Sequence, residues 1–383
     1  MHQNKIKVIT ILFLMFVSCI EEYDPGIKNE HASLLVIEAE ITNNPGPQYV
    51  TVRKASKLQN PDQKFGVLNC DVKIYDDKNN VFQGLEFGNG IYVVNIEEEY
   101  LHNGTAFRMD IVTQDGQLIS SEYDTLRVCP EIDSIYYKVE NFYHVEPGEA
   151  IPGVQFYIDY NGTNSNTHYI KYEAEETWKH QASFPITWIL DGRGLYRLEP
   201  PDYSKRNCWI IEKVPEFFVM STANLTENIY HGYSLHHILN TSLKPIHGYS
   251  LNIKQLSISE DAYNYYNQLA KNTNNSGGLY DTQPQLVEGN LHNITNPDQL
   301  VLGYFSVVGV NTKRISIRNF EGLSLNPDMP CEPQEISLGY LMQDNRNTVY
   351  LLNQNFVWYR LSDVCVDCTV IGGDTIKPDY WPF

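Results

Sequence analysis

The amino-acid sequence predicts a mainly β protein: an N-terminal immunoglobulin-like or transthyretin-like β-sandwich followed by a larger β-rich domain with one clear helix. Three observations carry this expectation. Short runs alternate apolar with polar residues, as a strand with one buried face requires. Turn signals rich in Gly, Asn and Pro separate those runs. Tyr, Asn and Thr are abundant, with 27 Tyr among 383 residues, and aromatic and β-branched side chains suit a pleated, half-buried surface.

The chain begins with Lys5 and Lys7, an apolar run over residues 8–17, then Ser18 and Cys19. A run this short after a positive start reads as a signal peptide rather than a membrane span. The small Ser18 before Cys19 suits cleavage by a lipoprotein signal peptidase, so residues 1–18 are expected to be removed and Cys19 to be lipidated. Phe16 stands where Leu is usual, and an ordinary cleaved signal that discards Cys19 is the alternative. Residues 19–31, with Glu21, Glu22 and Asp24, form an acidic tether. No later apolar run approaches the ~18 residues that a membrane-spanning helix needs.

Residues 32–129 hold the expected sandwich. A strand over 34–41 ends at Asn43, Asn44, Pro45, Gly46 and Pro47, and 49–53 returns beside it. Runs at 70–75, 91–94 and 106–112, each bounded by Gly or Asn turns, bring the expectation to about seven strands. In residues 130–383, the alternating run 154–160 is followed by Asn161-Gly162, and 168–174 reads as its hairpin return. The stretch 178–254 reads as long loops or irregular strands. The helix spans 259–272: Ser259 can cap it, Glu260 and Asp261 suit its positive end, and Ala262, Tyr265, Tyr266, Leu269 and Ala270 share one face. Residues 299–310 and 313–318 read as two strands joined by a turn.

Asp and Glu outnumber Lys and Arg 47 to 28, a formal net charge of -19. Such a surface repels phosphates and anionic headgroups, which argues against nucleic acid and against electrostatic membrane binding. Besides Cys19, six cysteines remain: Cys70, Cys129, Cys208, Cys331, Cys365 and Cys368. An even set outside the cytoplasm reads first as disulfides, with the pairing open. Cys365 and Cys368 also have the spacing of a zinc knuckle or redox pair, but no second pair accompanies them and Gly372-Gly373 follows closely.

The remaining constellations are weaker. His231, His236, His237 and His247 crowd one stretch, but adjacent side chains diverge, so a surface or loop cluster is expected rather than a metal site. Glu173 and Glu175 fall on one face of a strand beside a third, solvated carboxylate, Glu176; this gives no basis for glycosidase chemistry. No nucleophile elbow, phosphate loop or dinucleotide fingerprint occurs. Tyr263, Tyr265 and Tyr266, or the region of Trp178, Trp188 and Trp209, could form a stacking platform, although core packing is the simpler reading. The terminal Tyr380, Trp381 and Phe383 are expected to pack back on the body.

Three stretches carry a family resemblance: residues 35–43; residues 276–284 leading through 287–290 to 302–306 and Lys313-Arg314; and Cys365 to Cys368 with Gly372, Gly373 and 377–381. Together they resemble a family of Bacteroidota outer-membrane lipoproteins described as domain of unknown function 4249. The resemblance implies no catalysis and no assigned residues. It implies an accessory lipoprotein working beside a TonB-dependent outer-membrane transporter. Ser276, Gly277, Gly278 and Tyr280 form a candidate binding loop, since two adjacent glycines open backbone angles closed to other residues; fastening the helix onto the strands from Leu300 to Arg318 is an equal alternative.

The function expected from these readings is a surface-facing, lipid-anchored, non-enzymatic accessory or ligand-binding protein of the outer membrane, without cofactor or metal. A cell-surface adhesin or glycan-binding module comes second, and a hydrolase with an unfamiliar site third.

Overall fold

The structure, a computed structural model, describes residues 34–55, 65–143, 150–274, 286–337, 339 and 348–383. Cys19, its tether and the loop with Ser276, Gly277, Gly278 and Tyr280 lie outside these residues. Among the described residues, no helix is long and apolar enough to cross a membrane.

The molecule is mainly β. Its first strands are β1 (Leu35–Thr42), β2 (Gly46–Lys54), β3 (Phe65–Gly66), β4 (Asp71–Asp76), β5 (Val81–Gly88), β6 (Ile91–Ile96), β7 (Ala106–Val112), β8 (Leu118–Ser121) and β9 (Asp124–Thr125). Alternation places Leu35, Ile37, Ala39 and Ile41 of β1 inward, opposite Val72 and Ile74 of β4 and Phe107, Met109 and Ile111 of β7, in one core. The expected turn at Asn43 to Pro47 joins β1 and β2 antiparallel, Leu35 facing Lys54 and Glu40 facing Tyr49.

The rest of the chain adds β10 (Ser134–Phe142), β11 (Ile151–Asn161), β12 (Tyr169–Gln181), β13 (Ile186–Asp191), β14 (Gly194–Asp202), β15 (Asn207–Lys213), β16 (Phe218–Ser221), β17 (Ile229–Leu239) and β18 (Tyr249–Ser257). The helix α1 (Glu260–Asn274) precedes β19 (Leu291–Asn293) and β20 (Val301–Ile317), and β21 (Gln334–Glu335), β22 (Val349–Gln354), β23 (Val357–Leu361) and a short α2 (Asp363–Val366) close the chain. The helix starts where expected, with the Ser259 hydroxyl accepting from the Ala262 N–H at 3.2 Å.

Three sequence expectations are corrected here. The stretch 178–254 is regular, carrying strands β13 to β18. Residues 301–317 form one strand without an internal turn, because antiparallel pairing with β18 runs unbroken from Gly309 to Ile317. The runs 154–160 and 168–174 are not a hairpin. β11 pairs with β10 and β17, whereas β12 pairs with β15, β16 and β18. Both runs have an apolar face, and those faces meet: Val154, Phe156, Ile158 and Tyr160 of β11 share a core with Ile170, Tyr172 and Ala174 of β12. Burying two faces against each other places the strands in stacked sheets, and the Phe156 ring lies 5.5 Å from the Tyr249 ring of β18 across the gap.

A 15-stranded sheet runs β15-β12-β18-β20-β1-β2-β6-β5-β4-β7-β8-β19, with β16 on β12, β3 on β2 and β9 on β7 off this path, beside a three-stranded sheet (β10-β11-β17) and a five-stranded one (β14-β13-β22-β23-β21). β20 pairs parallel with β1, Val301 facing Leu35 and Val308 facing Thr42. Val301, Phe305 and Val307 complete the N-terminal core. Buried Asp124 accepts from the Val307 N–H at 2.9 Å, and the Asn290 side chain bonds both backbone groups of Phe305. The expected division between residues 129 and 130 is thus spanned by one continuous sheet.

Two disulfides form, Cys208–Cys368 and Cys331–Cys365. Cys70 and Cys129 are thiols, contrary to the expectation of three bridges. The Cys365 and Cys368 spacing is therefore neither a redox pair nor half a zinc knuckle: each cysteine takes a distant partner. One ties the chain end to the buried Cys208 of β15, the other to the segment leading into β21.

Candidate functional site

β12 has two chemically opposite faces. Tyr172, Ala174, Glu176 and Trp178 alternate into the protein interior, and Lys171, Glu173, Glu175 and Thr177 alternate onto the other side. That second side floors an open cleft of about 430 Å³, lined by Lys171, Glu173, Glu175, Lys213, Phe217 and Lys254 among others. The chain crosses beside it at residues 214–217, between β15 and β16, which pair with different stretches of β12.

The charges on this floor neutralise one another across strands. Lys171 Nζ lies 2.7 Å from Glu173 and 3.5 Å from Glu40 of β1. Lys254 Nζ of β18 lies 2.6 Å from Glu40 and 3.5 Å from Glu173, and Arg314 of β20 reaches Glu175 at 3.5 Å. Burial opposes the charge on Lys171, but Tyr266, Glu40 and Glu173 outweigh it and push its pKa up. Burial likewise opposes ionised Glu173, and Lys171 with Lys254 outweighs that and holds it well below the usual carboxylate range. Both groups are thereby locked in their charged forms. General acid–base catalysis needs the opposite, a pKa drawn toward the working pH.

Aromatic rings border the floor. The Lys171 ammonium sits 4.5 Å from the centre of the Tyr266 ring, and Tyr266 stacks on Phe217 of the cleft wall at 6.3 Å. Tyr265 packs on Tyr304 of β20 at 4.9 Å and Tyr263 on Tyr169 at 5.3 Å. The helix tyrosines are therefore mostly packing groups, with Tyr266 also bordering the cleft. Trp178, Trp188 and Trp209 form no platform, since Trp178 lies in the interior of the large sheet, Trp188 packs on Trp358 of the five-stranded sheet, and Trp209 faces the other side of β15 from Trp178's neighbour Ile210. The chain end folds back: Trp381 is 2% exposed, the Tyr380 hydroxyl lies 3.0 Å from the Thr177 hydroxyl, and the Arg314 guanidinium lies 3.7 Å from the Tyr380 ring centre.

Glu176 is not the solvated third carboxylate that its neighbours suggested; it is 2% exposed. It accepts from Lys244 and from the Tyr249 hydroxyl, at 2.9 Å for the latter, and lies 3.4 Å from His236. His236 belongs to β17 and is half-buried, not in a surface loop, with Glu216 3.6 Å from its other ring nitrogen. His237 diverges from it as expected and stacks on Phe142 at 4.5 Å. His231 is exposed beside Asp159. Burial opposes ionisation of Glu176, but His236 and Lys244 outweigh it and lower its pKa to about 2; the two carboxylates likewise overcome the burial of His236 and raise its pKa to about 8.

Sequence reasoning missed Lys171, Lys254 and Glu40 because pairing across β1, β12 and β18 brings them together from distant positions. The signal for Glu176 was present: it shares the two-residue period of Tyr172, Ala174 and Trp178, which places a carboxylate on an apolar face.

Comparison with known proteins adds the following. A family model described as a domain of unknown function matches residues 20–314. The Cys365 to Cys368 stretch falls beyond that match. No curated protein matches. Among solved structures, a trypsin-activated alpha-2-macroglobulin from Escherichia coli is 8% identical at a TM-score of 0.18, covering 60% of this chain and 15% of that one. A structure described as manganese lipoxygenase of Gaeumannomyces graminis with part of zonadhesin of Komagataella pastoris is 7% identical at a TM-score of 0.16, covering 75% and 96%. Likenesses this weak carry no argument.

Proposed function

We propose, from the premise that the chain belongs to the family of domains of unknown function DUF4249, that it is a non-enzymatic binding protein. In this reading it is held by a lipid on Cys19 to the outer membrane of a Bacteroidota cell, facing outward and serving a TonB-dependent transporter. The observation that carries the binding role is the cross-strand ladder of Lys171, Glu173 and Lys254 on the cleft floor, tied to Glu40 of β1. Lys171 is pushed up and Glu173 held down in pKa, so both stay charged, and the floor suits recognition rather than turnover. Prepaired charges offer a ligand donors and acceptors side by side without a net field, which fits a polar ligand that brings both.

Support for the address comes from the sequence: Lys5 and Lys7, the apolar run, Ser18-Cys19 and the acidic residues after it. Purification of the full chain from detergent-solubilised membranes tests the partnership. An outer-membrane barrel is expected to travel with it in stoichiometric amount; repeated purification without any barrel defeats the transporter role. The glycan-binding reading draws on Phe217, whose ring lines the cleft and could stack on a sugar. A glycan array that lights up with the native chain and goes dark with Phe217→Ala would favour it.

A further inference from the structure

At the end of the large sheet where the chain enters the fold, three large apolar side chains stand exposed. Phe65, Leu68 and Phe87 are 50%, 46% and 80% exposed, three large side chains where scattered single ones need no explanation. They belong to one place. Gly66 is pressed so closely on the turn after Phe87 that a Cβ there would stand 2.1 Å from the Asn89 carbonyl carbon. The Asn69 N–H donates to Glu86 at 2.7 Å, which draws the segment after Leu68 to the strand that carries Phe87. Phe65 and Leu68 also line an open hollow of about 810 Å³ with Leu35 and Lys54.

The position of this patch relative to the chain's origin is what gives it meaning. Leu35 faces Lys54, and Lys54 faces Phe65, so two strand spacings, roughly 10 Å, separate Phe65 from the first strand. Leu34 is the fifteenth residue after Cys19, so the connecting chain can reach at most about 50 Å.

We propose that this end of the molecule rests on the lipid surface, with Phe65, Leu68 and Phe87 in the headgroup region beside the acyl chains on Cys19. The proposal rests on the lipid-anchor reading above. A tether raises the local concentration of membrane around the patch, so a small apolar contact suffices to fix orientation. The acyl chains hold the protein at the surface but leave its orientation free, and a second, apolar contact fixes it. A formal net charge of -19 disfavours anionic lipid as the partner surface, and the exposed side chains here are apolar, which suits a zwitterionic surface.

The test uses the full acylated chain in vesicles of phosphatidylethanolamine and phosphatidylcholine doped with a brominated lipid. Phe87→Trp is compared with Phe356→Trp, whose position is 97% exposed on the hairpin of β22 and β23. The wild-type chain, with 5 Trp, supplies the background. Added quenching with Phe87→Trp and none with Phe356→Trp is expected, and its loss in Phe65→Ser/Leu68→Ser/Phe87→Trp would locate the contact further. If Cys19 takes up a fatty-acid label but neither tryptophan is quenched, the docking is overturned and the anchor stands. Absence of label on Cys19 overturns both. Shielding of Phe87→Trp that appears only with a co-purified protein assigns the face to that protein and overturns the lipid contact.

Discussion

Glu176 and His236 stand 3.4 Å apart on two different sheets, β12 in the large one and β17 in the three-stranded one, inside the core where those sheets stack. Neither ring nitrogen of His236 is aligned for a conventional hydrogen bond, so their attraction is chiefly that of opposite charges at short range. This pair makes the inter-sheet contact titratable.

Stability should therefore fall with rising pH in a window set by His236. Its folded pKa of about 8 lies above its ordinary value of 6.5, so the protonated ring favours the folded state. That contribution is complete below about pH 6.5 and disappears as pH rises through about 8. A shift of this size corresponds to about 2 kcal/mol. Melting temperatures measured from pH 6 to 9 should drop across the window for the native chain and much less for His236→Gln; parallel curves would count against the charged pair.

Removing Glu176 should cost more than removing any other member of the cluster. Glu176→Ala strands His236, Lys244 and the Tyr249 hydroxyl without their shared acceptor, and breaking a buried ion pair on one side costs roughly 3–5 kcal/mol. Denaturant unfolding of Glu176→Ala and Lys244→Met separates the two, since Lys244 is partly exposed and should lose less. Equal, small losses would show that the cluster is solvated.

The disulfide assignment makes a chemical forecast. Alkylation of the unfolded, unreduced chain should modify Cys70 and Cys129, while peptide mapping should recover Cys208 linked to Cys368 and Cys331 linked to Cys365. A peptide bridging Cys365 to Cys368 would contradict the fold of the chain end. Replacing Cys331 and Cys365 by Ala, which opens a loop with a sequence separation of 34, should lower stability by about 2–4 kcal/mol.

Gly303 should tolerate no side chain. Its φ of +106° and its position against β1, where a Cβ would stand 1.8 Å from the Ile37 carbonyl oxygen, make Gly303→Ala both strained and sterically blocked. Because β20 links the two halves of the large sheet through β1, the variant is expected to express poorly and melt well below the native chain. Unchanged melting would mean that the parallel pairing is dispensable.

Local sequence made several elements legible. The alternation at 34–41 and 49–53 and the turn between them became β1 and β2, and the capped, one-sided helix at 259–272 became α1, because a period of two or of 3.6 residues is written in neighbouring side chains. The cleft was half legible: Glu173 and Glu175 were placed together on one strand face. Their partners Lys171, Lys254 and Glu40 were not, because register between distant strands decides which charges meet.

The sequence by itself determined the β character, the single long helix, the acidic surface and the inventory of cysteines and histidines, since each depends on composition or on residues close in the chain. Only the tertiary structure decided that 154–160 and 168–174 stack in separate sheets, that Cys365 and Cys368 part to distant partners, and that Glu176 is buried against His236. The physical reason is common to all three. Apolar faces are paired by where they can best exclude water across the whole fold, and polar groups carried inward with them must then find partners that no local pattern specifies.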